Sequence, residues 1–151
     1  MSILLFLVAC SKEPAPTPAP ASSTAGSAVA PAQPAAPAAG PDGPSDITVP
    51  ALAAISTTAG DIAEGEKVFG ARGCGGCHQF GAKLVGPDLV GVTTRRTVTW
   101  VQKMVSEPEQ MTKKDPVAKD LFKTAMVQMP KQGVTEAEMP LLLAFIKSKG
   151  G

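Results

Sequence analysis

Cys74, Cys77 and His78 fall in one run, Cys74-Gly75-Gly76-Cys77-His78. Two thiols two residues apart, with an imidazole beside the second, is the spacing that attaches a c-type haem. The thiols add across the two vinyl groups of one porphyrin, and the intervening pair sets the span. The adjacent imidazole is then held under the ring, where it can bind iron from one axial side. Gly75 and Gly76 carry no side chains to obstruct the macrocycle, and they bend easily. Two other chemistries use a Cys-x-x-Cys pair: a dithiol redox site and half of a zinc site. Tetrahedral zinc needs four ligands, and only Cys10 and carboxylates remain to complete it. A thioredoxin-like dithiol sits among strands alternating with helices, a pattern absent here. The full run therefore points to haem ahead of both.

His78 is the only histidine, and the chain has no tyrosine. One copy cannot build a bis-His site, so a protein ligand in the sixth position is Met first and Lys second. The candidate loop is Ala125-Met126-Val127-Gln128-Met129-Pro130, followed by Lys131-Gln132-Gly133. Pro130 pushes Met129 into an extended conformation, and a ligand on a loop reaches iron without distorting a helix. Met126 is the nearest competitor, and filling a gap in the core is the plain alternative for either. Iron-bound histidine usually donates its other ring N–H to an acceptor. The carbonyl of Pro87, in the turn Gly86-Pro87-Asp88-Leu89, can supply that acceptor; a simple turn is the alternative. The Trp100 indole N–H can bond a haem propionate or belong to ordinary core. Arg95 and Arg96 are rim candidates for the same carboxylates, or solvated arginines.

Four helices are predicted to position these residues. The first runs from Asp61 to about Arg72, with Asp61 as cap and Glu64 at the capping-box position. Ile62, Gly65 and Phe69 share a face, and Gly73 ends the helix and turns the chain into the Cys-x-x-Cys run. The second covers Thr97 to Glu107, with Trp100, Val101, Met104 and Val105 on one face and Pro108 beyond its end. Asp115-Pro116 starts the third, with Val117, Leu121 and Phe122 on its apolar side. The last begins at Thr135, with Glu138 completing a capping box and Met139, Leu142, Leu143 and Ile146 facing inward. Pro140 makes its first turn irregular or delays its start.

The 151 residues divide into 1–9, 10–59 and 60–151. Residues 1–9 read as the end of a signal peptide, too short to span a bilayer. Leu7-Val8-Ala9-Cys10 resembles the bacterial lipobox, which makes Cys10 a lipidation site; an ordinary signal peptide with an incidental Cys is the alternative, and no Lys or Arg precedes the apolar run. The Pro/Ala-rich stretch that follows cannot bury enough surface to offset ordering entropy, so it reads as a disordered tether or an inert stalk. It would reach about 150 Å extended or about 40 Å as a coil. Ile47 to Ile55 is a more apolar patch that either packs on the domain or ends the linker. A net charge of +1 gives no reason to invoke nucleic acid, and 4% aromatic content makes the core thin unless a haem supplies apolar surface.

From about Gly65 to Lys149 the chain resembles the class I (mitochondrial-type) cytochrome c family, in a small bacterial monohaem version. The resemblance rests on the haem run, Gly86-Pro87-x-Leu89, Met129-Pro130 and amphipathic helices at both ends. It implies an all-α fold of about four helices around one covalently attached haem c. Cys74 and Cys77 would be the thioether attachments, His78 the proximal ligand, Met129 the distal one, and Pro87 the acceptor for the imidazole. Gly65 and Phe69 would meet the last helix near Phe145 or Leu142. The stretch between Phe69 and Cys74 is one residue longer than in mitochondrial-type members. The implied function is electron transfer rather than enzymatic turnover, by a monomer anchored through Cys10 to a bacterial membrane and facing the periplasm or outer surface. Lys113, Lys114, Lys119, Lys123 and Lys131 could steer an acidic redox partner, or be solvated helix faces. The alternative function is a haem ligand-binding protein, gas-sensing or peroxidase-like, with an open sixth position. It lacks a distal acid–base histidine, since His78 is already engaged.

Overall fold

The computed structural model describes residues 41–150. The stretch read as a signal peptide, the candidate lipidation site Cys10 and the expected tether up to residue 40 lie outside them. Among the described residues the fold is all helical: α1 (Ala59–Ala71), α2 (Val92–Arg95), α3 (Val98–Ser106), α4 (Pro108–Lys114), α5 (Pro116–Ala125) and α6 (Met139–Ser148). A single 3₁₀ turn covers Cys74–Gly76.

The frame is the crossing of α1 and α6, the first and last helices. It exists because Gly65 has no side chain. A Cβ there would lie 2.7 Å from the carbonyl carbon of Leu141 and 2.9 Å from Phe145 Cβ. One turn further along α1, the Phe69 ring meets Phe145 at 5.3 Å between centroids. Phe80, from the loop after His78, completes the cluster at 5.5 Å from each. Leu142, Leu143, Phe145 and Ile146 of α6 are all buried. α1 starts earlier than the sequence suggests. Thr58 is its cap, accepting from the Asp61 N–H, while Asp61 sits in the first turn and accepts from Thr58 and Ser56.

α3 and α5 form as the sequence predicts. Thr97 caps α3 by accepting from the Trp100 N–H, and the Asp115 carboxylate caps α5 by accepting from the Ala118 N–H at 2.9 Å. Phe122, expected on the apolar side of α5, is 40% exposed; Ala118 is buried instead. α4 is an addition. Pro108 lies beyond the end of α3, as expected, and occupies the first turn of a new helix, where its missing N–H costs nothing. Thr135 and Glu138 do form a capping box, with the Thr135 N–H donating to Glu138 at 2.9 Å and the Glu138 N–H donating back at 3.3 Å. The regular helix begins only at Met139, with Pro140 in its first turn.

Residues 41–58, assigned to the tether by composition, pack against this helical unit. Ile47 is 4% exposed and belongs to the core, with Leu52 and Ile55 packed on it. Buried side chains hold the backbone of this strap: Lys103 Nζ donates to the Pro44 carbonyl at 2.8 Å, and Gln102 Nε2 to the Pro50 carbonyl at 3.0 Å. Thr97 Oγ1 donates to the Pro41 carbonyl, and Asp46 pairs with Lys114. The packed unit therefore begins ahead of residue 60. A few apolar side chains at the right spacing outweigh a Pro/Ala-rich background.

Candidate haem site

Cys74 and Cys77 lie on the 3₁₀ turn that leaves α1. Gly73, with φ of +71°, reverses the chain between α1 and that turn. That left-handed conformation suits glycine, which has no Cβ to clash. The Cys77 and His78 N–H groups both donate back to the Cys74 carbonyl, at 3.2 and 3.0 Å, so thiols and imidazole share one tight turn. Among the described residues neither cysteine is in a disulfide, and both are partly buried. Burial pushes the Cys74 thiol above its ordinary value. A dithiol redox centre works through a lowered thiol pKa, so this environment argues against that chemistry. Among the described residues no three His, Cys, Asp or Glu side chains gather so as to hold a metal ion, so a tetrahedral zinc site has no full ligand set there.

The imidazole is fixed on two sides. His78 Nδ1 is 2.9 Å from the Pro87 carbonyl, and since that oxygen only accepts, the ring nitrogen donates. Gly86 lies against the ring: a Cβ on it would stand 2.5 Å from Cε1 and 2.8 Å from Nδ1. The Gly86 N–H donates to the Cys77 carbonyl at 2.8 Å, which ties the turn to the attachment run. Asp88 closes the loop by accepting from the Gly81 and Val90 N–H groups, at 2.8 and 2.9 Å. Leu89 is half-buried on the core, and its N–H donates to the Gln79 carbonyl. The Pro87 contact was legible in the sequence. The closeness of Gly86 was not, because a glycine before proline reads equally well as an ordinary turn.

The two methionines part company. Met126 caps α5 in a left-handed conformation, φ 57°, and is 81% exposed. Met129 is half-buried and packs against the core. Trp100 is 4% exposed, and its Nε1 has no hydrogen-bond partner among the described residues. Arg96 lies over its ring at 5.6 Å. Arg95 is turned to the loop instead, donating to the Val90 and Asp88 carbonyls. Of the five lysines read as steering groups, Lys114, Lys123 and Lys131 are in ion pairs with Asp46, Asp120 and Glu107; Lys113 and Lys119 are exposed.

These residues fit a covalently held haem. Two thiols share one turn with a braced imidazole. A buried indole N–H lacks a partner, which is what a propionate oxygen would satisfy. Leu84, Val85 and Val127, at 43%, 41% and 53% exposure, are apolar side chains on the two loops after His78 and after α5, and Lys83 ties the first loop to the end of α5 by donating to the Thr124 carbonyl at 3.4 Å.

An all-helical domain with a Cys-x-x-Cys-His turn between its first helix and a half-buried methionine defines a class, the c-type haem proteins. The family model described as Cytochrome c matches residues 62–149, more than half of the chain, and the chain belongs to the cytochrome c family. Membership implies a covalent haem c on Cys74 and Cys77. Among solved structures, the cytochrome c from Rhodothermus marinus is 23% identical, with a TM-score of 0.63 over 69% of this chain and 90% of that one. An engineered cytochrome c from the same organism, Rma TDE, is 24% identical, with a TM-score of 0.60 over 72% and 90%. At these identities the likeness establishes the fold alone. No curated protein matches the chain.

Proposed function

We propose that this protein is a monohaem electron carrier with His78 and Met129 as axial ligands. The observation that carries the reading is the 2.9 Å contact between His78 Nδ1 and the Pro87 carbonyl. It fixes the tautomer, leaves Nε2 with its lone pair for a metal, and raises the basicity of the ring. Met129 is favoured over Met126 because one packs on the core and the other stands in solvent. The Trp100 N–H is the donor for a haem propionate, with Arg96 stacked on its ring; Arg95 braces the loop at Val90 and Asp88. A haem held by Cys74, Cys77 and His78 would supply one-electron chemistry. The protein's part is to hold the imidazole and the thioether in place so that neither oxidation state demands rearrangement. A thioether ligand favours the ferrous state and raises the potential.

The same reading makes the protein an exported, monomeric lipoprotein held through Cys10, with residues 11–40 as tether and the packed strap from residue 41 as part of the domain. Its partners are redox proteins with acidic surfaces, met by Lys113 and Lys119 and by the paired lysines around them. Neither nucleic acid nor a substrate enters the scheme.

The test is visible absorption of the haem-loaded protein, oxidised, reduced, and reduced with carbon monoxide. Low-spin bands, a ferric Met-to-iron charge-transfer band and no carbon monoxide shift are expected, with the band lost in Met129→Ala. A high-spin spectrum that shifts with carbon monoxide would overturn the carrier reading in favour of an open, ligand-binding site.

A further inference from the structure

The loop that carries Met129 is held by side chains of one short helix. Thr112, on α4 and 8% exposed, donates its hydroxyl to Gln128 Oε1 at 2.9 Å. The Gln128 amide in turn donates to the carbonyl of Met129 at 3.1 Å. The orientation of this amide follows from chemistry. The Met129 carbonyl can only accept, so the NH₂ of Gln128 must face it, and Oε1 is left facing Thr112. The threonine hydroxyl has one proton. It is shared between Gln128 and the Glu109 carbonyl, 3.1 Å away. A second tie lies just past Met129, where Lys131 pairs with Glu107, the residue that precedes α4. Pro130 restricts Met129 from the other side. The methionine thus sits between a proline ring and an amide bonded to its own carbonyl, with both flanks of the loop fastened to the same helix.

We propose that Thr112 and Gln128 are positioning residues for the sixth ligand, and that α4 acts as the latch that keeps Met129 on the iron. This rests on the reading of Met129 as that ligand. Release of the loop would free the position to an outside ligand. The latch therefore sets the population in which the methionine has left. An outside ligand binds only that population, so its apparent affinity rises in proportion to it.

The experiment uses the full-length, haem-loaded ferric protein and imidazole as probe. Thr112→Val removes the hydroxyl at nearly constant shape. Loss of one hydrogen bond to the loop should tighten apparent imidazole binding about threefold to tenfold. Gln128→Ala, which removes the other end of the same tie, should do likewise, and Thr112→Ser should return the value to wild type. Gly65→Ala strains the domain at the α1–α6 crossing, away from the loop, and should leave imidazole affinity unchanged. Wild-type affinity in Thr112→Val would overturn the latch, as would wild-type affinity in Gln128→Ala or an equal change in Gly65→Ala. Met129→Ala separates the two readings. Loss of the charge-transfer band with unaltered Thr112→Val binding rejects the latch alone. A band that survives Met129→Ala rejects the ligand assignment and the latch with it.

Discussion

Gly65→Ala and Gly70→Ala make one substitution twice in one helix, and the structure assigns them opposite signs. At Gly70 a new Cβ meets nothing within 4 Å. The change there gains helix propensity of about 0.5–1 kcal/mol and little else, at the low end because the position is in the last turn. At Gly65 the same methyl would lie 2.7 Å from the Leu141 carbonyl carbon and 2.9 Å from Phe145 Cβ, with the Leu141 oxygen closer still. Comfortable carbon–carbon contact is about 3.5 Å, so α6 would have to retreat by on the order of 1 Å. The obstacle is backbone, which cannot rotate out of the way. The retreat also loosens Phe145 against Phe69 and Phe80. Overpacking of this kind costs about 1–3 kcal/mol, with a backbone clash at the upper end. After the propensity gain, a net loss of about 2 kcal/mol remains, or roughly a 10 °C fall in Tm for a domain near this size. Thermal unfolding followed by far-UV circular dichroism at matched haem content reads both variants. A Gly65→Ala protein as stable as Gly70→Ala would refute the claim that this crossing is set by backbone contact at one glycine.

Two further variants probe the site and its frame. Gly86→Ala directs a methyl at His78 Cε1, 2.5 Å away, so the imidazole must tilt off the Pro87 carbonyl or the loop must open. The expected result is a destabilisation of about 1–3 kcal/mol together with a higher reduction potential, because an imidazole that loses this bond is less basic and stabilises ferric iron less, read by denaturant unfolding and redox titration; an unchanged potential would mean that the loop yields without disturbing the ring. Glu138 is held down to about 2 from its ordinary 4.5, first by its bidentate bond to Arg72 and then by Thr135. A carboxylate with a lowered native pKa contributes stability that is complete above about 4.5 and is lost as pH falls toward about 2. Glu138→Gln should therefore flatten the stability–pH curve in that window and leave the variant less stable at neutral pH. Parallel curves for the two proteins would remove the pair from the acid response.

What the sequence revealed and what it hid differ in physical kind. The haem run, the capping box of Thr135 and Glu138 and the Asp115-Pro116 start are local, chemically dictated patterns, and they appear where expected. The meeting of Gly65 and Phe69 with the last helix was legible through resemblance, and a close approach at glycine is its physical form. α4 escaped because a seven-residue helix is too short for periodicity to register, and Glu107-Pro108 reads as a stop. The same proline that ends α3 begins the next helix. The strap was legible only as an open choice because composition is an average: the segment follows a Pro/Ala-rich stretch, while Ile47 enters the core and Leu52 and Ile55 pack against it. The aromatic contact of Phe80 left no trace, since one phenylalanine in a loop has no period. Pro130 pointed to Met129 ahead of Met126, but no letter showed how far either side chain is buried. The left-handed backbone at Met126, which turns that side chain outward, separates them.

α4 explains how a site made mostly of turns can be held firmly. Seven residues cannot sustain a helix in water, because nucleation is unfavourable and propagation too brief to offset it. Its stability must come from its neighbours, and the contacts show which ones. Met111 is fully buried, and its Cε lies 3.3 Å from where a Cβ on Gly43 of the strap would stand. Lys114 reaches Asp46 of the same strap. Asp115 serves both sides of a one-residue joint: its N–H donates to the Met111 carbonyl at 2.8 Å, and its carboxylate caps α5. From the opposite face, Thr112 and Glu107 hold the loop of Met129. A helix formed only by such contacts links the elements that make them. Substitutions in the strap and in the loop share α4 as their common partner, so their effects should not add as those of distant independent sites do.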